Sequence, residues 1–313
     1  MKPVIAIVGS NMMDLITYYH NRLPKMGETI FGEDFEIGFG GKGANQGIAA
    51  SRLGGEVIMV TAVGDDLFGP LVRDNFCQNG INTEFVKVVP GKTSGVAPIF
   101  VDQEGRNSIF IIPGANYSLL PEDVSRVRSE LKRASFLLLQ LEIPLPTVYY
   151  AMELAQELNL QVILNPAPAQ KLDWSKVQGV FLLAPNESEL ESLTGIPADS
   201  LDNIQKGASF LLEKGVQNVL VTLGEKGCAL FTREGWKKME AYPVNSIDTT
   251  GAGDAFLGSL ALFLSEGKEM SQALNLASAY AALSTTKRGT QKSFVSRGEF
   301  ENWIATYLRT DRS

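Results

Sequence analysis

The chain is predicted to fold as an α/β protein, a doubly wound and mostly parallel sheet with helices on both faces and a small β-sheet lid. Three observations predict it. Short apolar runs at residues 4–8, 57–62, 136–141, 161–165, 179–184 and 219–223 have the length and composition of buried strands. Amphipathic stretches at 122–134, 147–158 and 203–214 lie between them with helical spacing. Strands alternating with helices in this way build parallel sheets covered on both faces. Two segments then break the alternation, and these are assigned to the lid, with an extension of the central sheet as the alternative.

In chain order, residues 4–8 form the first strand. The opening MKPVIAIVGSNMMD has too short an apolar run for a signal peptide. Residues 29–39 alternate, with Phe35, Ile37 and Phe39 on one side and Asp34, Glu36 and Gly38 on the other. GFGGKGANQ, residues 38–46, reads as a glycine-rich helix entrance presenting Lys42 and Asn45 to a small polar ligand. Residues 94–101 and 107–112 flank DQEG as a hairpin. The lid strands thus fall within about 15–40 and 94–112 of a single domain spanning 1–313. Its apolar face suits a cover over the site or a contact between two copies.

DTTGAGDAF, residues 248–256, is the most informative stretch. Ala241, Tyr242, Val244 and Ile247 suggest a strand before it, and residues 255–264 a buried helix after it. Gly251 and Gly253 let the backbone turn tightly and approach a ligand. The first helical amides then face whatever anion lies above them. Asp254 would repel that anion unless it has another task, such as taking a proton from an attacking hydroxyl. An anion hole at Gly251, Ala252 and Gly253 beside such a base is what phosphoryl transfer to an alcohol requires.

Bulk properties narrow the alternatives. The 313 residues carry 28 Lys and Arg against 35 Asp and Glu, a net charge of −7, which argues against nucleic acid or an anionic membrane as partner. No apolar run approaches the roughly 18 residues of a membrane span. Cys77 and Cys228 form no framework, so a reducing cytoplasm fits. The single histidine, His20, sits among polar residues before a turn, as a solvated or edge-strand residue. This leaves no histidine for Ser-His-Asp, Cys-His or His-zinc chemistry. Gly38, Gly40 and Gly43 match G-x-G-x-x-G, and a nicotinamide-dependent oxidoreductase is the rival they raise. The first strand has already ended at Gly9, however, which is the wrong context for that fingerprint.

GGKGANQ, QLE at 140–142, NPAPA at 165–169, PNESE at 185–189, TLGEKG at 222–227 and DTTGAGDAF occur in one order. Together they resemble the ribokinase and phosphofructokinase B family of carbohydrate kinases, over nearly the whole chain up to GTQKS at 289–293. The resemblance implies ATP-dependent phosphorylation of a sugar hydroxyl, with Mg²⁺ and activation by a monovalent cation, K⁺ foremost. It also implies a homodimer paired through the lid. Asp254 becomes the base that deprotonates the sugar 5-hydroxyl, with the transferring phosphoryl group held at Gly251, Ala252 and Gly253. Asp14 in the first loop, Gly41, Lys42, Asn45 and Glu142 match sugar-binding positions, while Met12 stands where a sugar-contacting asparagine is expected and Asn11 lies one place before it. Asn186 and Glu189 match an element associated with Mg²⁺ and the ATP phosphates. Thr222, Gly224, Glu225 and Gly227 would run along the nucleotide, and Ser278 would lie near the adenine. Asp248, Thr250, Ser284, Lys287, Gly289 and Ser293 match the monovalent-cation site.

Taken alone, Asp14 reads equally as a cap and Asn165 as a turn former. The expected acceptor is D-ribose, with 2-deoxy-D-ribose a further acceptor. A 2-deoxyribose kinase is the alternative, because Met12 stands where the family often has asparagine and GSNMMDLITY is similar to 2-deoxyribose kinases. Other sugar kinases and nucleoside kinases rank below these.

Overall fold

A computed structural model describes residues 2–310. Its strands are β1 (Val4–Val8), β2 (Met12–Tyr18), β3 (Asp34–Gly40), β4 (Glu56–Gly64), β5 (Val86–Val89), β6 (Val96–Val101) and β7 (Asn107–Ile109). They continue with β8 (Phe136–Leu139), β9 (Gln161–Leu164), β10 (Leu182–Leu183), β11 (Asn218–Thr222), β12 (Cys228–Thr232) and β13 (Gly235–Met239). The large sheet has the order β13-β12-β11-β10-β9-β8-β1-β4-β5. Every pairing from β11 to β5 is parallel, and β12 and β13 add an antiparallel edge.

Strand β1 shows why the sheet is covered on both faces. Ile5 and Ile7 point into one core with the helices Lys42–Arg52, Ala252–Ser265 and Met270–Ser284, while Ala6 and Val8 point into the other with Leu145–Leu158 and Leu201–Glu213. Neither face of the strand meets water, so its sequence is apolar without alternation. Full burial of each large aliphatic side chain contributes roughly 1.5–3 kcal/mol.

The smaller sheet has the order β3-β2-β6-β7, with β2 parallel to β6 and the other pairs antiparallel. Its strand β2 begins at Met12, so Asp14, expected in the first loop, stands on a strand.

Three further expectations are corrected. Residues 241–247 form no strand: Pro243 lacks an N–H to donate to a ladder, and the segment runs as irregular chain to the glycine turn. The stretch 122–134 is two short helices, Pro121–Arg126 and Arg128–Leu131, broken at Val127. The run 179–184 pairs only at Leu182–Leu183, because Gly179 takes φ +80° and turns the chain before it.

Candidate active site

The site forms at the carboxyl ends of the parallel strands, where open α/β sheets bind ligands. Helix Ala252–Ser265 begins there, with Gly251 as its cap at φ 77°. A β-carbon on Gly251 would sit 2.3 Å from Thr290 Cγ2. Ala252 N–H turns back to the Thr249 carbonyl at 3.2 Å. Among the described residues, none accepts from the N–H of Gly253 or Asp254, and no side chain caps this end. A β-carbon on Gly253 would meet nothing within 4 Å. Two amides therefore lie unpaired at the positive end of a buried helix, with open space beside Gly253, a ready anion site.

Asp254 lies in the same turn, 7% exposed. Its Oδ2 accepts from Asn45 Nδ2 at 2.9 Å and its Oδ1 from Gln46 Nε2 at 3.1 Å. Both amides come from helix Lys42–Arg52. The two helices cross closely because Gly258 has no side chain; a β-carbon there would lie 2.2 Å from the Gln46 carbonyl oxygen.

Lys42 opens that helix, and its N–H donates to Glu142 Oε2 at 3.0 Å. Ser10 Oγ donates to the same oxygen. Gly41, at φ 87°, packs on the backbone of Asn11, where a β-carbon would approach within 2.6 Å. Burial alone would lower the Lys42 ammonium, but Asp254, Glu142 and Glu189 around it hold it above the usual lysine value. It stays a cation in the middle of the carboxylates. Burial pushes Glu142 up, reinforced by Asp254 and opposed by Lys42 and Ser10. Asp14 is pushed up to about 7 by burial, then by Glu142 and Asp254. A half-buried lysine among carboxylates, with amides interleaved, presents the mixed donors and acceptors that a polyol can satisfy.

Met12 packs with Ala97 and Ile99 into an apolar group on the face of β2 that also carries Asp14. Asn11 is committed inward: its Nδ2 donates to Thr61 Oγ1 and to the Ala62 carbonyl, each at 2.8 Å. Asn165 likewise donates to the Ala184 carbonyl at 3.1 Å.

Asn186 and Glu189 form a capping box on helix Glu187–Thr194. Asn186 Oδ1 accepts from Glu189 N–H at 2.8 Å, and Glu189 Oε2 accepts from Asn186 N–H at 2.9 Å. The pair has a structural task, and burial pushes the Glu189 carboxyl up. Thr222 ends β11, bridged to Asn186, and Gly224, Glu225 and Gly227 form the turn into β12. Ser278 is buried within helix Met270–Ser284.

Asp248 clamps the remaining loop: Oδ1 accepts from Thr250 N–H and Oδ2 from Gly289 N–H, both at 2.9 Å. Burial raises its carboxyl, but these bonds and Arg288 outweigh it and hold it low. The hydroxyls of Ser284 and Ser293 donate to the carbonyls of Ala281 and Thr290, and Lys287 lies in the turn between. The carboxylate is thus occupied by main-chain N–H groups that fix the loop between residues 248 and 289. Among the described residues, no three His, Cys, Asp or Glu side chains gather to hold a metal. A divalent ion fits this site only with phosphate and water oxygens completing its shell.

Four polar residues close to the chemistry escaped the sequence reading: Ser10, Gln46, Gln140 and Gln291. Gln46, Gln140 and Gln291 lie inside the stretches GGKGANQ, QLE and GTQKS, which was the available signal; their task depends on long-range contacts. Gly38 and Gly40 end β3 of the smaller sheet and Gly43 is already helical, so these glycines do not form a dinucleotide turn after a parallel strand.

Residues 2–297 match the model of the pfkB family carbohydrate kinases. The chain is 46% identical over 302 residues to a deoxyribokinase of Salmonella typhi, covering 96% of this chain and 98% of that protein. It is 40% identical over 295 residues to a Mus musculus ribokinase, covering 93% and 91%. Among solved structures, an Arabidopsis thaliana ribokinase complexed with ribose and ATP superposes with TM-score 0.89 at 31% identity, covering 96% of this chain and 98% of that one. With the unpaired helix amides and the buried acid beside them, these likenesses place the chain in the pfkB family of carbohydrate kinases, as a sugar kinase that draws its phosphate from ATP.

Proposed function

We propose that the protein phosphorylates the 5-hydroxyl of a pentose, D-ribose or 2-deoxy-D-ribose. One observation carries this reading: Asp254 is held by two amides beside the unpaired N–H groups of its own helix turn. Asp254 takes the proton of the attacking hydroxyl. The turn at Gly251–Gly253 forms the cradle for the transferring phosphoryl group through the unpaired N–H groups of Gly253 and Asp254, the Ala252 N–H expected there being taken by the Thr249 carbonyl. Such positioning and charge stabilisation supply most of the rate in phosphoryl transfer. Lys42, Asn45, Asp14, Glu142 and the Gly41 turn hold the sugar. Asn186, Glu189 and residues 222–227 lie along the nucleotide, with Ser278 toward the adenine.

Mg²⁺ would offset phosphate charge near Glu189, and a monovalent cation such as K⁺ would take the Asp248 loop with carbonyls from 250, 284, 287 and 289. The protein is proposed to act in the cytoplasm, which suits its two free thiols, Cys77 and Cys228. It is proposed to act as a homodimer through the smaller sheet, which exposes Phe35, Ile37, Ile109 and Phe110.

Met12, Ala97 and Ile99 present no hydrogen-bonding group, so this wall leaves a sugar hydroxyl unread. That supports turnover of 2-deoxyribose alongside ribose, as does the similarity to a deoxyribokinase. The test is initial rates on both sugars with ATP, Mg²⁺ and K⁺. Comparable kcat/KM values, or a preference for the deoxy sugar, are expected. A strong preference for ribose would sink the argument from Met12, and no turnover of either pentose would overturn the pentose assignment.

A further inference from the structure

The Asp254 carboxylate ends two arms of side-chain amides, all buried except the half-buried Asn75. In one, Gln140 Nε2 donates to Gln46 Oε1 at 2.6 Å, and Gln46 Nε2 to Asp254 Oδ1 at 3.1 Å. In the other, Asn75 Nδ2 donates to Gln291 Oε1 at 2.8 Å, Gln291 Nε2 to Asn45 Oδ1 at 2.9 Å, and Asn45 Nδ2 to Asp254 Oδ2 at 2.9 Å. Gln46 and Gln140 are fully buried. Every amide in both arms donates toward the carboxylate. Turning Gln46 round would set its oxygen against Asp254, and Gln140 would then have to turn as well. The charge at the end of the chain thus dictates its polarity. The cost falls on Gln140, whose own Oε1 is buried without a partner. A buried acceptor left unpaired costs stability, so the arm is not what packing alone would select.

We propose that Gln46 and Gln140 are positioning residues for phosphoryl transfer: Gln140 locks the Gln46 amide, and Gln46 fixes the plane of the Asp254 carboxylate toward the open side of its helix turn. This rests on Asp254 being the base. Gln46 and Gln140 act through Asp254 and need not touch either substrate. A base in the right plane keeps its lone pair aligned with the hydroxyl proton, and small misplacements cost rate steeply.

The test compares kcat and KM for Gln46→Met, Gln140→Met, the double variant and Asp254→Asn, with a thermal melt of each. Gln46→Met should lower kcat roughly 10- to 100-fold, with KM for ATP and sugar within about two-fold. Gln140→Met should lose a smaller factor in kcat, and the double variant should be no slower than Gln46→Met. Should Gln46→Met not fold, Gln46→Asn, an amide too short to reach, replaces it with the same expectation. Overturning results are a kcat for Gln46→Met near the parent while Asp254→Asn is inactive, loss confined to KM, or single losses that multiply in the double variant. An Asp254→Asn variant at parent rate would instead remove the base on which the proposal stands.

Discussion

Asp14 projects from β2 into a region that already holds Glu142 and Asp254, and its carboxyl moves from an ordinary 3.8 to about 7 by burial and then by those two charges. Because the folded value lies above the unfolded one, the folded state binds the extra proton between those pH values. Stability from this group is present below about pH 4 and is lost as pH rises through 7. Asp14→Asn should therefore be more stable than the parent at pH 8, by at most about 4 kcal/mol, with the gap closing toward pH 4. Melting curves across that range decide the point, and a gap independent of pH would refute it. Asp254→Asn should lose roughly 10²–10⁴-fold in kcat while still binding ATP. That the GAGD turn carries an acid was legible from residues 248–256 alone. The pairing of that acid with Asn45 and Gln46 was not, because 209 and 208 residues separate the partners.

Two helices set the base, and one glycine sets how closely they cross. Gly258→Ala places a methyl 2.2 Å from the Gln46 carbonyl oxygen, so the helices must part. We expect a loss of about 1–3 kcal/mol in urea unfolding. A fall in kcat should accompany it, because Asn45 and Gln46 retreat from Asp254; unchanged kcat in a destabilised variant would show that their distance is not critical. Lys292 on the short helix Thr290–Ser293 pairs with Glu36 on β3, tying the smaller sheet to the segment that also carries Gln291. Both side chains are well exposed, so the pair contributes less than about 1 kcal/mol to stability. Lys292→Met should leave the melting temperature nearly unchanged and raise the pentose KM a few-fold, less so at high salt. Equal KM values at low salt would argue that the smaller sheet needs no such tie.

At the scale of the molecule, the smaller sheet leaves Phe35 (56% exposed), Ile37 (46%) and Phe110 (66%) open to solvent. Replacing Phe35 and Ile37 by lysine should convert the proposed homodimer to monomer in sedimentation velocity and lower pentose turnover with it. A parent that already sediments as a monomer would defeat the dimer reading. The chain's net charge of −7 further predicts that nucleic acid will not compete for this face.

The parallel sheet, its covering helices, the two glycine turns and the acid at the second of them followed from the sequence by itself. Strand and helix periods, glycine turns and helix starts are set by residues within a few positions of one another. The tertiary structure decided what those local signals could not carry. It turned Asn11 inward, gave Asn186 and Glu189 a capping task, and linked Gln140 through Gln46, and Gln291 through Asn45, to one carboxylate. Contacts across 94 to 246 residues depend on how helices cross and which groups lose water, and no short spacing encodes either.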